Sequence, residues 1–482
     1  MANQQFDPRS GFCSQTNIYH SPRPSVPLPP LTTPLSITSY LFSILNSHPP
    51  PPHTAALIDA LTRRRILYSD FILHIKTLAF SLKTKFNLSK NDTAFVLSQN
   101  SIHVPILYFS LFLIGVTVSP SNPANTKPEI LRQIQLSKPV IAFATSEAAD
   151  IIPSLKCGTI LLDSLEFESF MTSQLDERDL DSELDRVSVS QLDPAAILYS
   201  SGTTGMIKGV VLTQRNWISS LAGALAVRSV RETPVVALCA VPYFHVYGFR
   251  YCVTAVGVGA EFGVHGKGYG LTESTGRVFG TEGPKECQVV GATGKLAPNC
   301  EAKIVDPDTG IAQPPGRPGE LWIRGSFTMK GYVGDEEATA NVLDSAGWLR
   351  TGDLCYIDNE GFLFYLDRIK ELIKYKGYQV GLEVAPPAEL EHLLQSHPDI
   401  VDAAVIPYPD ELTGQVPMAF VVRKFGRIID GSKIMDFINK QVAPYKRIRQ
   451  VNFINSLPRN ASGKVLRKEL IKLAQSSTIS KL

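Results

Sequence analysis

Ile197 to Leu212 reads ILYSSGTTGMIKGVVL, and this stretch decides how the rest of the chain is read. The apolar run Ala195 to Tyr199 predicts a buried strand. It ends abruptly in Ser200, Ser201, Gly202, Thr203, Thr204 and Gly205, with Lys208 three positions further on. Hydroxyls, glycines and a nearby ammonium in this order suit a phosphate cradle, because backbone N–H groups and side chains converge on anionic oxygens and the lysine adds a point charge. The Walker A spacing is absent: that loop needs lysine directly after its second glycine, and Met206 and Ile207 intervene here. A Gly/Ser/Thr cluster by itself is usually a polar turn, so the motifs downstream carry the weight.

The full string, Ser-Ser-Gly-Thr-Thr-Gly-x-x-Lys-Gly-Val after a strand, resembles the signature of the adenylate-forming superfamily of acyl-CoA synthetases, luciferases and peptide-synthetase adenylation domains. One local departure is Ile207, where the family has proline; the loop loses a fixed φ. Further stretches match in family order. VPYFHVYGF (Val241 to Phe249) sets one histidine among aromatics, and by resemblance His245 and Tyr247 line the carboxylate and acyl-adenylate pocket. GYGLTE (Gly268 to Glu273) implies Gly268 against the nucleotide, Thr272 at the α-phosphate and Glu273 as a Mg²⁺ ligand, a role suited to a hard carboxylate.

GWLRTGDL (Gly347 to Leu354) places Asp353 on a turn, where the family gives it both ribose hydroxyls. In DRIKELIKYKGYQ (Asp367 to Gln379) the resemblance puts Arg368 at the ribose and Lys370 near the phosphates. It puts Lys374 and Gln379 near the adenylate, and Lys376 and Gly377 near CoA. In LPRNASGK (Leu457 to Lys464) it implies that Lys464 neutralises charge as the carboxylate attacks the α-phosphate, which is electrostatic stabilisation of a transition state.

Composition agrees with a small-molecule enzyme. Forty-seven basic and forty-five acidic residues leave a net charge of +2, so no extended basic surface for nucleic acid is expected. Seven scattered cysteines without a C-x-x-C pair suit a reducing compartment and neither a disulfide framework nor a zinc site. The most apolar run, Val104 to Val118, is too short to span a membrane and predicts a buried core helix. No secretory signal is read at the start of the chain. Ser480, Lys481 and Leu482 match the peroxisomal address, which implies the import receptor as a partner.

Residues 1–52 are rich in Pro and Ser, with four prolines at 49 to 52, and predict extended chain with one short helix near Ile37 to Leu45. From Ala55 to Asp193 strand and helix patterns alternate, including strands at Thr93 to Leu97 and Val140 to Ala144 and a helix at Ile106 to Ile114. Such alternation argues for a mostly parallel sheet with helices on its faces. Thr213 is a candidate cap for the next helix, Asp176 to Asp185 reads as a solvated loop or helix face, and short strands are expected at Ile304 to Asp306, Gly319 to Arg324 and Met329 to Tyr332. Strand candidates in the last part are Ala403 to Ile406 and Ala419 to Val422.

The expected fold is therefore α/β: a large N-terminal domain of parallel-rich α/β layers plus a small β-rich subdomain, with a smaller C-terminal α+β domain. The expected division is an AMP-binding domain at 53–366, a hinge at 367–370, a lid domain at 371–474 and a tail at 475–482.

One piece of the family pattern is missing. Only 18 residues, RYCVTAVGVGAEFGVHGK, separate Phe249 from Gly268, where family members place several elements, among them part of the acyl pocket and a CoA-contacting basic residue. Lys267 stands where the plant ligases have Gln, and Gly381 to Ala385 read as a short insertion. The whole resembles the plant 4-coumarate:CoA ligase-like acyl-CoA synthetases. The resemblance implies ATP, Mg²⁺ and CoA, and a carboxylic acid substrate such as a hydroxycinnamate, a fatty acid or a jasmonate precursor. Adenylation with another acceptor, and a truncated isoform that keeps nucleotide or partner contacts without catalysis, stay open beside it.

Overall fold

The computed structural model describes residues 6–173, 176–200, 207–227, 236–258, 267–374, 384–385, 387–411, 413–427, 429–459, 463 and 465–479. The chain divides into two units, one made of Met1–Tyr19, Ala302–Ile323 and Arg350–Leu482, the other of His20–Glu301 and Arg324–Leu349.

The second unit is organised by a seven-stranded sheet in the order Gly331–Tyr332, Lys208–Thr213, Pro194–Ser200, Thr117–Ser121, Thr93–Leu97, Ile141–Ala144, Thr159–Leu161. The last five run parallel, and Lys208–Thr213 and Gly331–Tyr332 add on antiparallel. Strands 93–97, 117–121 and 141–144 are buried at every position. Burial on both faces is what a parallel sheet covered by helices requires. Helix His103–Leu113 is buried from Val104 through Phe112, as a helix without a polar face must be. A smaller antiparallel sheet joins Gly268–Leu271, Gly276–Gly280 and Lys295–Leu296.

The run Val104 to Val118 corrects one expectation. It is not a single core helix: the helix stops at Leu113, Gly115 turns the chain at φ +73°, and Thr117–Ser121 becomes a strand. Hydrophobicity gives no signal there, because helix and strand are equally buried, and only the glycine punctuates the run. Helix Gln214–Ala226 begins as predicted at Thr213, whose hydroxyl accepts the Asn216 N–H while the Asn216 side chain accepts the Thr213 N–H at 2.7 Å. Asp176–Asp185 is a capped helix, Glu177–Leu184, that buries Leu180 and Leu184.

The first unit holds a six-stranded sheet in the order Phe12–Cys13, Ile18–His20, Cys300–Val305, Gly319–Gly325, Leu349–Ile357, Leu363–Arg368. Its C-terminal part is a three-stranded sheet of Ile400–Asp410 paired antiparallel with Gly414–Arg423, which pairs parallel with Gln450–Phe453. Successive residues of the hairpin face opposite ways, so both sides are covered. Ala403 and Val405 pack with Leu390, Leu394, Ile434 and Ile438, whereas Ala404 and Ile406 pack with Leu457, Leu470 and Ala474.

The expected α/β and α+β classes are thus both present. All seven cysteines are free, and no helix among the described residues is long and apolar enough to cross a membrane.

Candidate active site

In the second unit the phosphate-loop stretch is the connection of an antiparallel pair. Ser200 is the last residue of Pro194–Ser200 and lies opposite Lys208, the first of Lys208–Thr213. The strand entering the loop is anchored by Tyr199, whose hydroxyl bonds to Ser119 Oγ at 2.7 Å and to the Gln133 carbonyl at 2.9 Å. Burial pushes the Tyr199 phenol up to about 12, so it is neutral at any physiological pH. The Ser200 hydroxyl is buried and, among the described residues, has no hydrogen-bond partner. An orphaned buried hydroxyl costs about 1–3 kcal/mol, and a phosphate oxygen would satisfy it. Ser201, Gly202, Thr203 and Thr204 lie outside the described residues.

Thr272 and Glu273 sit on a single 3₁₀ turn, Thr272–Ser274, directly after strand Gly268–Leu271. At Gly268 a Cβ would stand 3.3 Å from the Phe279 carbonyl, a tight contact that needs the neighbouring strand to give by a few tenths of an ångström. The Glu273 backbone carbonyl accepts the Met329 N–H at 2.9 Å, and its side chain Oε1 accepts the Tyr332 hydroxyl at 3.0 Å. Lys208 Nζ lies 4.5 Å from the centre of the same Tyr332 ring. Magnesium is usually held by one or two carboxylates together with substrate phosphates. A part-exposed, oriented Glu273 near a phosphate-loop lysine fits that donor set.

His245 immediately precedes helix Val246–Val258, and its carbonyl accepts the Phe249 N–H at 2.8 Å. Its Nδ1 accepts the Tyr247 N–H at 3.3 Å, which leaves the proton of the neutral ring on Nε2. Desolvation by the surrounding protein holds its pKa below the usual histidine value, favouring that neutral form. Asn100 brackets the approach to the motif, donating to the Val241 carbonyl and accepting from the Tyr243 N–H. Tyr247 is 44 % exposed, unlike its neighbour Phe249, which is fully buried. Arg250, also buried, donates to Ser220 Oγ at 3.0 Å, and burial lowers its pKa to about 10.

In the first unit, Asp353 corrects a second expectation. It is not on a turn but inside strand Leu349–Ile357, opposite Arg368. Gly352, at φ +69°, supplies the turn-like conformation that the Thr-Gly-Asp string suggests. Asp353 is 1 % exposed, and its Oδ1 lies 3.1 Å from Arg368 Nε. The two residues that the resemblance assigns to the ribose therefore orient each other.

Lys370 follows on the 3₁₀ turn Ile369–Glu371. Lys374 is the second residue of the short strand Ile373–Lys374, which pairs with Val384–Ala385. Lys376, Gly377, Gln379 and Lys464 lie outside the described residues.

Several residues around these positions escaped sequence reasoning. Arg467, at the start of helix Arg467–Ile479, forks between Glu371 at 2.8 Å and Glu391 at 2.7 and 2.9 Å. Asp367 Oδ1 accepts the Arg368 N–H at 2.7 Å, and Oδ2 accepts the Ala388 N–H of helix Pro387–Gln395 at 3.0 Å. Apart from the neighbouring Arg368, these partners lie 21 to 96 residues away, and nothing in a single sequence marks them; Tyr332 is likewise one tyrosine among sixteen.

Burial raises the Asp367 carboxyl to about 6. A carboxyl whose folded value exceeds its unfolded value stabilises the fold only while protonated, so this contribution is full below pH 4 and lost as pH rises through about 6. Two pH units correspond to about 3 kcal/mol. The stability of wild type minus that of Asp367→Asn should therefore fall by about that amount between pH 4 and pH 7.5 in denaturant titrations. A difference that is flat with pH would remove the buried acid from the account.

The fold and these two sets of residues define a nucleotide-handling α/β enzyme, and comparison with known proteins places it. The chain matches the AMP-binding enzyme family over residues 47–267 and 260–333, and the AMP-binding enzyme C-terminal domain over 389–464. It belongs to the AMP-binding enzyme family, among its 4-coumarate:CoA ligase-like members.

It is 41% identical to "4-coumarate--CoA ligase-like 9" of Arabidopsis thaliana over 99% of this chain and 98% of that protein. To the "Peroxisomal OPC-8:0-CoA ligase 1" of the same plant it is 38% identical over 98% of each. Among solved structures, the o-succinylbenzoate CoA synthetase of Bacillus subtilis with its acyl-adenylate intermediate superposes with a TM-score of 0.74 at 25% identity, covering 89% of this chain and 97% of that one. ATP-bound MatB from Rhodopseudomonas palustris gives 0.76 at 24% identity over 91% and 99%.

The same comparisons bear on the missing piece. The alignment to the first relative runs over 561 positions. This chain has 482 residues, so subtraction leaves at least 79 positions filled by the relative alone. The family match breaks into two pieces that meet at 260–267, inside the interval between Phe249 and Gly268.

Proposed function

We propose that this protein is an ATP-dependent carboxylic acid:CoA ligase in which the acid first attacks the α-phosphate of ATP, giving acyl-AMP and pyrophosphate. The CoA thiol then attacks the acyl carbonyl and AMP leaves. The observation that carries this reading is the grouping in one unit of the orphaned Ser200 hydroxyl, Lys208 and Glu273 at the ends of adjoining elements.

In this reading Ser200 to Thr204 and Lys208 hold the phosphates, with Thr272 at the α-phosphate and Gly268 against the nucleotide. Glu273 would hold Mg²⁺, which supplies charge neutralisation on the phosphates. The neutral His245 and the exposed Tyr247 line the acid site. Asp353 and Arg368 take the ribose and Lys370 the phosphates. Lys464 serves the adenylating step; Lys374 and Gln379 serve the adenylate, and Lys376 and Gly377 serve CoA, after a rotation about 367–370 of the kind that completes many active sites. The acid is a hydroxycinnamate, a fatty acid or a jasmonate precursor, and Ser480-Lys481-Leu482 directs the protein to the peroxisome through its import receptor. The name of one relative, a peroxisomal OPC-8:0-CoA ligase, supports the peroxisomal location.

The positions absent at 260–267 favour a second reading: an isoform that binds nucleotide but cannot complete an acid pocket. ATP–pyrophosphate exchange by the purified protein separates the two. With 4-coumarate and a panel of fatty and cyclopentanone-containing acids, exchange on any acid supports the ligase and identifies its class. Absence of exchange in a folded sample that binds ATP supports the isoform.

A further inference from the structure

The segment Met329–Val333 is tied to two parts of the nucleotide site at once. Lys330 N–H donates to the Val211 carbonyl at 2.9 Å and Val333 N–H to the Gly209 carbonyl at 2.8 Å, so the segment runs beside the strand that leaves the phosphate loop. Met329 N–H donates to the carbonyl of Glu273 at 2.9 Å. Tyr332 lies between these ties. Its own N–H is held by Thr339 Oγ1 at 2.9 Å, on helix Glu336–Val342, which Asp335 caps. A further anchor comes from Asn216, whose side-chain amide donates to the carbonyls of Ser326 and Thr328.

The Tyr332 side chain repeats this double contact with charges. Its hydroxyl donates to Glu273 Oε1 at 3.0 Å, and its ring lies 4.5 Å from Lys208 Nζ. A phenol donating to a carboxylate is a charge-assisted bond that selects one carboxylate orientation. A ring face under an ammonium attracts it without neutralising it, as a carboxylate would. We propose that Tyr332 is a positioning residue that sets Glu273 for the divalent cation on ATP and, through its ring, sets Lys208 for the phosphates. This rests on the nucleotide-site reading above.

The hydroxyl and the ring can be removed separately, and calorimetric titration with ATP, once with MgCl₂ and once with EDTA, reads each without turnover. Tyr332→Phe keeps the ring and loses the donor. Its affinity for MgATP should fall about tenfold, the worth of one charge-assisted hydrogen bond, while its affinity for metal-free ATP stays within about twofold of wild type. Tyr332→Leu should lose a further factor of about three in EDTA as well, from the ring contact to Lys208. If Tyr332 acts through Glu273, adding Tyr332→Phe to Glu273→Gln should change MgATP affinity by less than about twofold.

A Tyr332→Phe protein that binds MgATP like wild type, or that loses affinity equally with and without the metal, overturns the proposal. Melting curves accompany each variant; should Tyr332→Leu not fold, the phenylalanine variant and the cycle with Glu273→Gln still decide. Wild type that binds MgATP no tighter than ATP sinks the nucleotide-site reading and this one together. Normal magnesium dependence in wild type with no effect of Tyr332→Phe sinks this one alone.

Discussion

Lys464→Ala should slow acyl-adenylate formation by about 10²- to 10³-fold, the usual cost of removing one charged stabiliser from a phosphoryl or acyl transition state. The reaction brings a carboxylate against a polyphosphate, two anions, and the pentacovalent phosphorus gathers further negative charge on its oxygens. A lysine arriving only in that state lowers the barrier without tightening the ground state. Among the described residues near Lys464, Arg459 donates to the Gly463 carbonyl at 2.6 Å and also to Asp402 Oδ2 at 2.6 Å. Two assays separate the role from general damage. Pyrophosphate exchange should collapse, whereas thioester formation from synthetic acyl-adenylate and CoA should stay within about threefold of wild type, because that step forms no new charge at phosphorus. Equal loss in both assays would mean that the substitution harms the protein and not one step.

Phe249→Ala should destabilise the second unit by about 3–5 kcal/mol, the range for deleting a large buried ring. Phe249 is fully buried, with ring centroids 4.8 Å from Tyr108, 4.7 Å from Trp217 and 6.1 Å from Phe112. Those partners lie on helices His103–Leu113 and Gln214–Ala226, so one side chain joins three helices, its own included. Phe249 N–H also closes the first turn on the His245 carbonyl, a backbone bond that the alanine variant keeps, so the loss is one of packing. Denaturant titration followed by tryptophan fluorescence measures the effect. A change under about 1 kcal/mol would show that the cluster repacks and that the unit's core lies elsewhere.

The sequence spoke most clearly where one physical rule acted alone. Thr93–Leu97 was legible as a strand because alternation of elements and burial agree there, and Thr213 as a cap because Ser/Thr before a helix has few other uses. The phosphate-loop strand was legible because an apolar run ends abruptly in glycines and hydroxyls. Legibility failed where two rules compete. In Val104 to Val118 hydrophobicity hid a helix-to-strand change, and in Thr351-Gly352-Asp353 turn-forming residues sit within a strand. Side-chain partners set by tertiary structure, such as Arg467 with Glu371 and Glu391 or Tyr332 with Glu273, leave no local trace. The absence between Phe249 and Gly268 was visible chiefly by count, with Lys267 the one residue there that departs from the family pattern.

That interval has a consequence for how the chain can be altered. Helix Val246–Val258 packs on Gln214–Ala226 and on strand Gly276–Gly280, while Gly268–Leu271 pairs with Gly276–Gly280. Each flank thus finds its support in segments other than the stretch that links them. The two ends of this interval, at residues 258 and 267, are therefore held independently of the chain that joins them, so a change of length between them need not unseat either flank.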